Sequence, residues 1–264
     1  MQIPPMPDTT PSPAPTQRFS DRVEDYVRYR PSYPAAVMEA LREYAGLGAS
    51  SVVADIGSGT GIFALLLLRK CARVYGVEPN EAMRAAGERL LAGWSNFASI
   101  AGTAEATNLP DASVDLVTAA QAFHWFDGPA CRREFSRILR NGSPVALVWN
   151  ERLVDATAFL ADYESLLRRR AVDYEKVNHT NVDAAALMAF YGAGGYATFE
   201  FPNEQRFDLA GLRGRVLSSS YAPNIGHPGH EALMSELASL FGRHAQDGHV
   251  TFHYTTRLFV GRLS

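Results

Sequence analysis

Cysteine is scarce in this chain: Cys71 and Cys131 are the only two among 264 residues. They fall in different predicted elements and have no CxxC or Cys/His neighbour. The sequence therefore offers neither a disulfide framework nor a metal site. Long apolar runs are lacking too. The longest, Ile62 to Leu68, is far too short to span a bilayer, and the start shows no basic-then-apolar signal pattern. These absences lead us to expect a cytoplasmic protein that keeps off membranes. Neither charge sign dominates, with 25 Lys and Arg against 28 Asp and Glu and a formal net charge of −3. The densest basic run, Arg168-Arg169-Arg170, closes a predicted helix and reads as a solvated end that complements the helix dipole. Nucleic-acid binding is accordingly not expected.

What is present suits one globular domain, since 47% hydrophobic and 20% charged residues supply a full core. Residues 1–18 hold Pro4, Pro5, Pro7, Pro11, Pro13 and Pro15 and predict a disordered or extended tail. A single domain is expected over 19–264. Pro31 and Pro34 break any helix around Tyr26 to Pro34, and a helix follows over 35–44. Short apolar strands then alternate with helices: strands at 51–55, 73–78, 97–102, 114–120 and 145–150, with helices at 60–70, 81–91 and 130–140. That rhythm means right-handed βαβ units and a parallel sheet covered on both faces. After Asn150 the rhythm changes. Helices at 157–170, 183–191, 209–219 and 231–244 surround two strands, 198–207 and 252–263, which would return as an antiparallel pair at one sheet edge.

The most informative segment is Asp55-Ile-Gly57-Ser-Gly59-Thr-Gly61, between the first strand and its helix. Glycines there permit tight dihedrals and a close ligand approach, and open α/β sheets bind ligands beyond the carboxyl ends of their strands. The spacing is GxGxG behind an acid, not the GxGxxG of a pyrophosphate turn. A dinucleotide needs bare helix-N-terminal amides for its phosphates. Asp55 would repel a phosphate but accept a hydrogen bond from an ammonium group. The next strand ends in Glu78, a carboxylate placed to take both hydroxyls of a ribose. Gly102 to Glu105 and Leu109 to Asp111 form a loop able to edge an adenine ring.

The runs ADIGSGTG, VYGVEPNEAM, GTAEATNLPDASVDLV, QAFHWF and REFSRILRNGSPVALVWN together resemble class I S-adenosylmethionine-dependent methyltransferases. The likeness points to the small-molecule type 11 branch that includes trans-aconitate methyltransferase-like proteins. It covers roughly residues 19–150 well and is loose beyond. It implies a Rossmann-like fold: a mostly parallel seven-stranded sheet, helices on both faces, an antiparallel edge pair and a small helical cap. Residues 19–150 would form the cofactor-binding core and 196–264 the returning edge strands. Residues 154–245 would in part cap the acceptor.

Carried over by position, Gly57, Gly59, Thr60 and Gly61 would lie under the methionine part of S-adenosylmethionine, with Asp55 near its amino group. Glu78 would hold the ribose, Pro79 and Met83 would pack on the adenine, and Ala104 and Glu105 would border its edge. Gln121, Ala122 and Phe123 would line the sulfonium end. Thr103 departs from the acid many relatives carry in this loop, which leaves Glu105 or backbone to recognise the adenine.

Methyl transfer is an in-line displacement in which the protein supplies alignment and desolvation, so catalytic residues are hard to read from sequence. His124 is the candidate base, its ordinary pKa being suited to the task; a purely orienting role is the bland alternative. Trp125 belongs to the same run. Tyr26, Tyr29, Arg30 and Tyr33 could fold over the site, with Arg30 pairing a carboxylate; Asn150 and Tyr221 complete the expected acceptor contacts. The expected function is methylation of a small molecule, with oxygen favoured, by a monomer or homodimer using no metal. Competing expectations are a non-catalytic S-adenosylmethionine-binding protein and a nicotinamide-dependent oxidoreductase.

Overall fold

The computed structural model describes residues 27–172, 174, 184–219 and 221–264; the expected N-terminal tail and Tyr26 lie outside them. Helix α1 (Ala35–Tyr44) buries Val37, Met38, Ala40 and Leu41, the one-sided spacing that made it legible. Then come β1 (Val52–Ile56), α2 (Ile62–Leu68), β2 (Arg73–Val77), α3 (Glu81–Leu91), β3 (Phe97–Ile100) and β4 (Leu116–Ala120). A single 3-10 turn at Phe123–Trp125 leads into α4 (Gly128–Ile138) and β5 (Val145–Arg152). The remainder is α5 (Ala158–Arg170), α6 (Ala184–Tyr191), β6 (Tyr196–Phe207), α7 (Leu209–Leu217), α8 (His230–His244) and β7 (Val250–Gly261).

The seven strands form one sheet in the order β3-β2-β1-β4-β5-β7-β6. The first five are parallel, and their burial on both faces explains the near-continuous apolar runs. Strand β7 inserts antiparallel between β5 and β6. The returning pair is thus present, with β6 as the edge. The order reverses at β1/β4, the switch point at which open α/β sheets hold ligands.

Two apolar layers sandwich the sheet. One packs Phe135, Ile138, Leu187 and Phe190 of the helices against Val117, Leu147 and Phe259. The other packs α1 and α2 through Leu41, Phe63 and Leu67. A third cluster lies beyond the switch point, where α5, α7 and α8 gather Leu160, Tyr163, Leu212, Val216, Leu233 and Leu237 on Phe207 and Phe252 of the returning strands. One boundary differs from expectation in a way that matters. Strand β5 does not stop at Asn150 but pairs with β7 through Arg152↔Tyr254, and this carries Arg152 to the carboxyl end of the sheet.

Candidate functional site

A cavity of about 430 Å³ opens at the carboxyl ends of the parallel strands, within the usual size range of a small-molecule site. The Gly57, Gly59 and Gly61 backbones adopt φ of +66°, +55° and +83°, the left-handed region that strains any L side chain. A Cβ on Gly57 would stand 2.6 Å from the Cβ of Ala122, whereas one on Gly59 would meet nothing nearer than Met83 Cε at 3.4 Å. Gly57→Ala is therefore expected to cost about 1–2 kcal/mol from its dihedrals alone and to displace the Ala122 wall as well. Gly59→Ala should be milder. Denaturant unfolding of the two variants, with ligand affinity alongside, checks that order.

Two carboxylates flank this loop. Asp55, at 1% exposure, accepts a hydrogen bond from Thr118 Oγ1 at 2.8 Å on Oδ1, while its Oδ2 is buried without a partner. Burial pushes its pKa up to about 7, against the Thr118 hydrogen bond and with help from the nearby Glu78 charge. Glu78 closes β2. Its Oε2 accepts from Gly59 N at 2.9 Å and its Oε1 from Asn80 N at 2.8 Å. Burial raises its pKa too, opposed by those two backbone hydrogen bonds and by Arg84. Asn80 in turn caps α3, its side chain accepting from Met83 N.

An unpartnered buried acceptor is expensive, and Asp55 Oδ2 has Thr60 Oγ1 as a second buried orphan close by in the loop. Both line the cavity. An ammonium group would satisfy the first, and each oxygen of Glu78 keeps a lone pair for a ribose hydroxyl. The donor set thus fits the amino-acid and ribose parts of S-adenosylmethionine.

The structure brings most of the sequence-derived residues to this cavity. Asp55, Gly57, Gly59, Thr60, Glu78, Pro79 and Met83 line one side, and Ala104, Glu105, Gln121 and Ala122 another. Gln121 holds φ of +56° while its Nε2 donates to Asn150 O; strain of this kind gathers at functional sites. Glu105 is half-engaged in the fold, one oxygen accepting from Asp127 N at the start of α4. Thr103 accepts from Ala106 N, closing its own turn. His124, Trp125, Arg30, Tyr33, Asn150 and Tyr221 also line the cavity. Asn150 acts as a tie: its Oδ1 accepts from Thr256 Oγ1 and Asn203 Nδ2, and its Nδ2 donates to Ser32 O. That fastens the Arg30–Tyr33 segment over the end of β5.

Three expected contacts are not there. Phe123 turns into the core, its ring 4.7 Å from Phe190 and 6.2 Å from Trp149, because the 3-10 turn points it inward. Gly61 backs onto Leu91, whose Cδ1 would lie 2.7 Å from a Cβ there, so it serves helix packing. Tyr29 packs on Gly214 and Phe207.

Sequence reasoning missed Arg152, Tyr174, Arg215 and Tyr254, all of which line the cavity. Arg215 sits in a short helix where an arginine ordinarily reads as solvated, and only its burial at 5% exposure reveals it. Beyond the cavity, Glu134 accepts from Thr107 N and Oγ1 and from Arg137, and the Arg137 hydrogen bond holds its pKa down to about 2. This pins the loop that carries Ala104 and Glu105. No helix among the described residues is long and apolar enough to cross a membrane.

The cleft at the switch point thus lies over an acid-led GxGxG loop, with the Glu78 carboxylate following the next strand. Residues 54–147 match the methyltransferase domain family. The chain is 37% identical over 134 residues to an uncharacterised methyltransferase of Mycobacterium tuberculosis (strain ATCC 25618 / H37Rv), covering 51% of this chain and 52% of that protein. It thus spans about half the length of such relatives. An uncharacterised methyltransferase-like protein of Schizosaccharomyces pombe is 28% identical over 83% of this chain and 84% of its own length. A crystallised protein of Anaeromyxobacter dehalogenans, described as a "putative type II methyltransferase", superimposes with a TM-score of 0.69 at 26% identity, covering 89% of this chain and 98% of that one. These likenesses support a class I S-adenosylmethionine-dependent methyltransferase and imply that cofactor. They do not reach the branch or the acceptor.

Proposed function

We propose that this chain transfers a methyl group from S-adenosylmethionine to an oxygen atom of a small acceptor. The carrying observation is the buried, half-satisfied Asp55 beside Glu78 at the glycine loop. It suits an ammonium and a ribose on one ligand and disfavours a pyrophosphate. When bound, the cofactor supplies a methyl group on a positively charged sulfur. The protein does the rest. Asp55 takes the ammonium, Glu78 the ribose hydroxyls, Pro79 and Met83 the adenine face, and Ala104 with Glu105 its edge. Gln121 and Ala122 border the reacting end. His124 and Trp125, carried there on the 3-10 turn, orient the acceptor, and Asn150 keeps the Arg30–Tyr33 segment closed so that water is excluded. The third helical cluster, through Arg215 and Tyr221, forms the acceptor wall.

The test is calorimetric titration with S-adenosylhomocysteine, with NADH as control, followed by transfer of labelled methyl into small hydroxyl and carboxyl compounds. Binding of the nucleoside but not NADH, with label appearing in an acceptor, is the expected result. Binding of NADH alone would return the loop to a dinucleotide site. Nucleoside binding without any transfer would make this a cofactor-binding protein and no enzyme.

A further inference from the structure

The cavity has two chemically different ends. Asp55, Glu78 and the glycine loop form one. Two strands along the sheet, roughly 10 Å away at the usual strand spacing, the other is built of guanidinium groups and phenols. Arg152, the last residue of β5, donates from Nη2 to Glu164 Oε2 at 2.5 Å and to Tyr174 Oη at 2.9 Å, so its charge is matched by a carboxylate from α5. Arg215, on α7, is 5% exposed. Its side-chain hydrogen bonds run to Ser219 Oγ at 3.0 Å and Tyr254 Oη at 3.4 Å, and among the described residues it forms no ion pair with a carboxylate. A guanidinium cannot shed its proton in a protein, and a buried cation without a counter-charge is strongly disfavoured. Among the described residues, the ionisable groups that act on Arg215 are phenols.

Four phenols stand by the two guanidinium groups: Tyr163, Tyr174, Tyr221 and Tyr254. Tyr174 donates to Glu164 Oε2 at 2.6 Å and Tyr254 to Gln205 Oε1 at 3.0 Å; both hydroxyls are already engaged as donors within the fold. Tyr163 is 1% exposed, does not line the cavity, and burial raises its pKa far above the ordinary phenol value. That leaves Tyr221. It lines the cavity and stands edge-on to the Tyr174 ring with centroids 4.9 Å apart. Arg215 from α7, Arg152 from β5 and Arg30 from the segment ahead of α1 all act on it. Burial pushes its pKa up, but these cations more than offset that and bring it below the ordinary value.

We propose that Tyr221, standing in the cavity beside Tyr174 at the end built of Arg152 and Arg215, is the catalytic base of this site, and that the acceptor is a weakly acidic hydroxyl compound, a phenol or an enol. This rests on the methyl-transfer reading above and narrows it. A phenolate can deprotonate a hydroxyl of comparable acidity but leaves an aliphatic alcohol protonated, and a carboxylate acceptor would need no base at all. The acceptor's hydroxyl proton passes to the Tyr221 oxygen. The acceptor oxygen bonds to the methyl carbon as the carbon–sulfur bond breaks, the electron pair staying on sulfur as a neutral thioether. Tyr221 then returns its proton to water. His124, exposed at the mouth, is left its orienting part.

The test titrates tyrosinate absorbance against pH in the protein saturated with S-adenosylhomocysteine. One tyrosine should ionise well below the others in the wild type. That step should vanish in Tyr221→Phe and move upward in Arg215→Met, with Arg215→Lys as the charge-keeping variant should Met impair folding. Labelled transfer into a panel of phenols should fall ~10²- to 10⁴-fold in Tyr221→Phe, the usual contribution of a general base, with nucleoside affinity unchanged. A nitrophenol already ionised at the assay pH should lose far less. A low-pH step that survives Tyr221→Phe, or no such step, overturns the proposal. So does an equal loss with the ionised acceptor, or no label in any phenol while the nucleoside binds. Failure of the nucleoside to bind would instead overturn the methyl-transfer reading, leaving the absorbance titration to report on Tyr221 by itself.

Discussion

Glu78→Ala is expected to bind S-adenosylhomocysteine at least ~10²-fold more weakly than the wild type. Hydrogen bonds to a charged group contribute about 1.5–3 kcal/mol each, and a ribose offers two. The loss has a second source. Glu78 Oε2 also accepts from Gly59 N, and Oε1 from Asn80 N, so the carboxylate fixes the glycine loop and the start of α3 before any ligand arrives. Removing it loosens the cradle and strips the ribose contact together. Glu78→Gln should not rescue binding, because its amide nitrogen would face one of two backbone donors where an acceptor is required. Calorimetry on both variants reads the effect. A Glu78→Ala protein that binds within a few-fold of wild type would remove Glu78 from the ribose site.

Asp55 should make nucleoside binding depend on pH. Its pKa is pushed from an ordinary 3.8 up to about 7 in the empty site, chiefly by burial, yet only the ionised carboxylate pairs with an ammonium. Affinity for S-adenosylhomocysteine should therefore rise as pH goes from 6 to 8. Methylthioadenosine, which lacks the amino-acid end, should show no such rise, and Asp55→Asn should flatten the dependence while weakening binding roughly tenfold or more, the scale of one charged hydrogen bond. The same group acts on the unliganded fold with a definite sign. A carboxyl whose folded pKa is raised stabilises fully below its unfolded value and loses that contribution as pH rises through the folded one. Stability of the empty protein should thus decline between about pH 4 and pH 7, by ~4 kcal/mol at most for this one group. Thermal melts of wild type and Asp55→Asn across that range check it, and parallel curves for the two would count against the raised pKa.

Much of this was legible in the chain. The helix predicted at 35–44 is α1 itself, and the βαβ alternation up to Asn150 carries over to the sheet almost strand for strand, because apolar periodicity and glycine breaks are local signals. Asp55, Gly57, Gly59 and Glu78 could be named for the same reason: a loop and the next strand end, joined by βα geometry, leave little choice of place. The errors were orientational. Phe123 is carried over by position from the resemblance and Tyr29 is placed by its neighbourhood in sequence, but a 3-10 turn aims one into the core and the Gly214 contact draws the other onto α7.

The sequence by itself determined the layered α/β frame and the acidic, glycine-lined end of the cavity, since each of those rests on residues near one another in the chain. Only the tertiary structure decided the opposite end. Arg152 reaches it because β5 runs two residues farther to pair with β7, Arg215 because α7 is pressed onto the returning strands, and Tyr221 because the chain after α7 folds back beside Tyr174. Those three residues are separated by up to 69 positions, and what makes them a site is a buried charge balance. No spacing rule records such a balance; it exists only once the elements have packed.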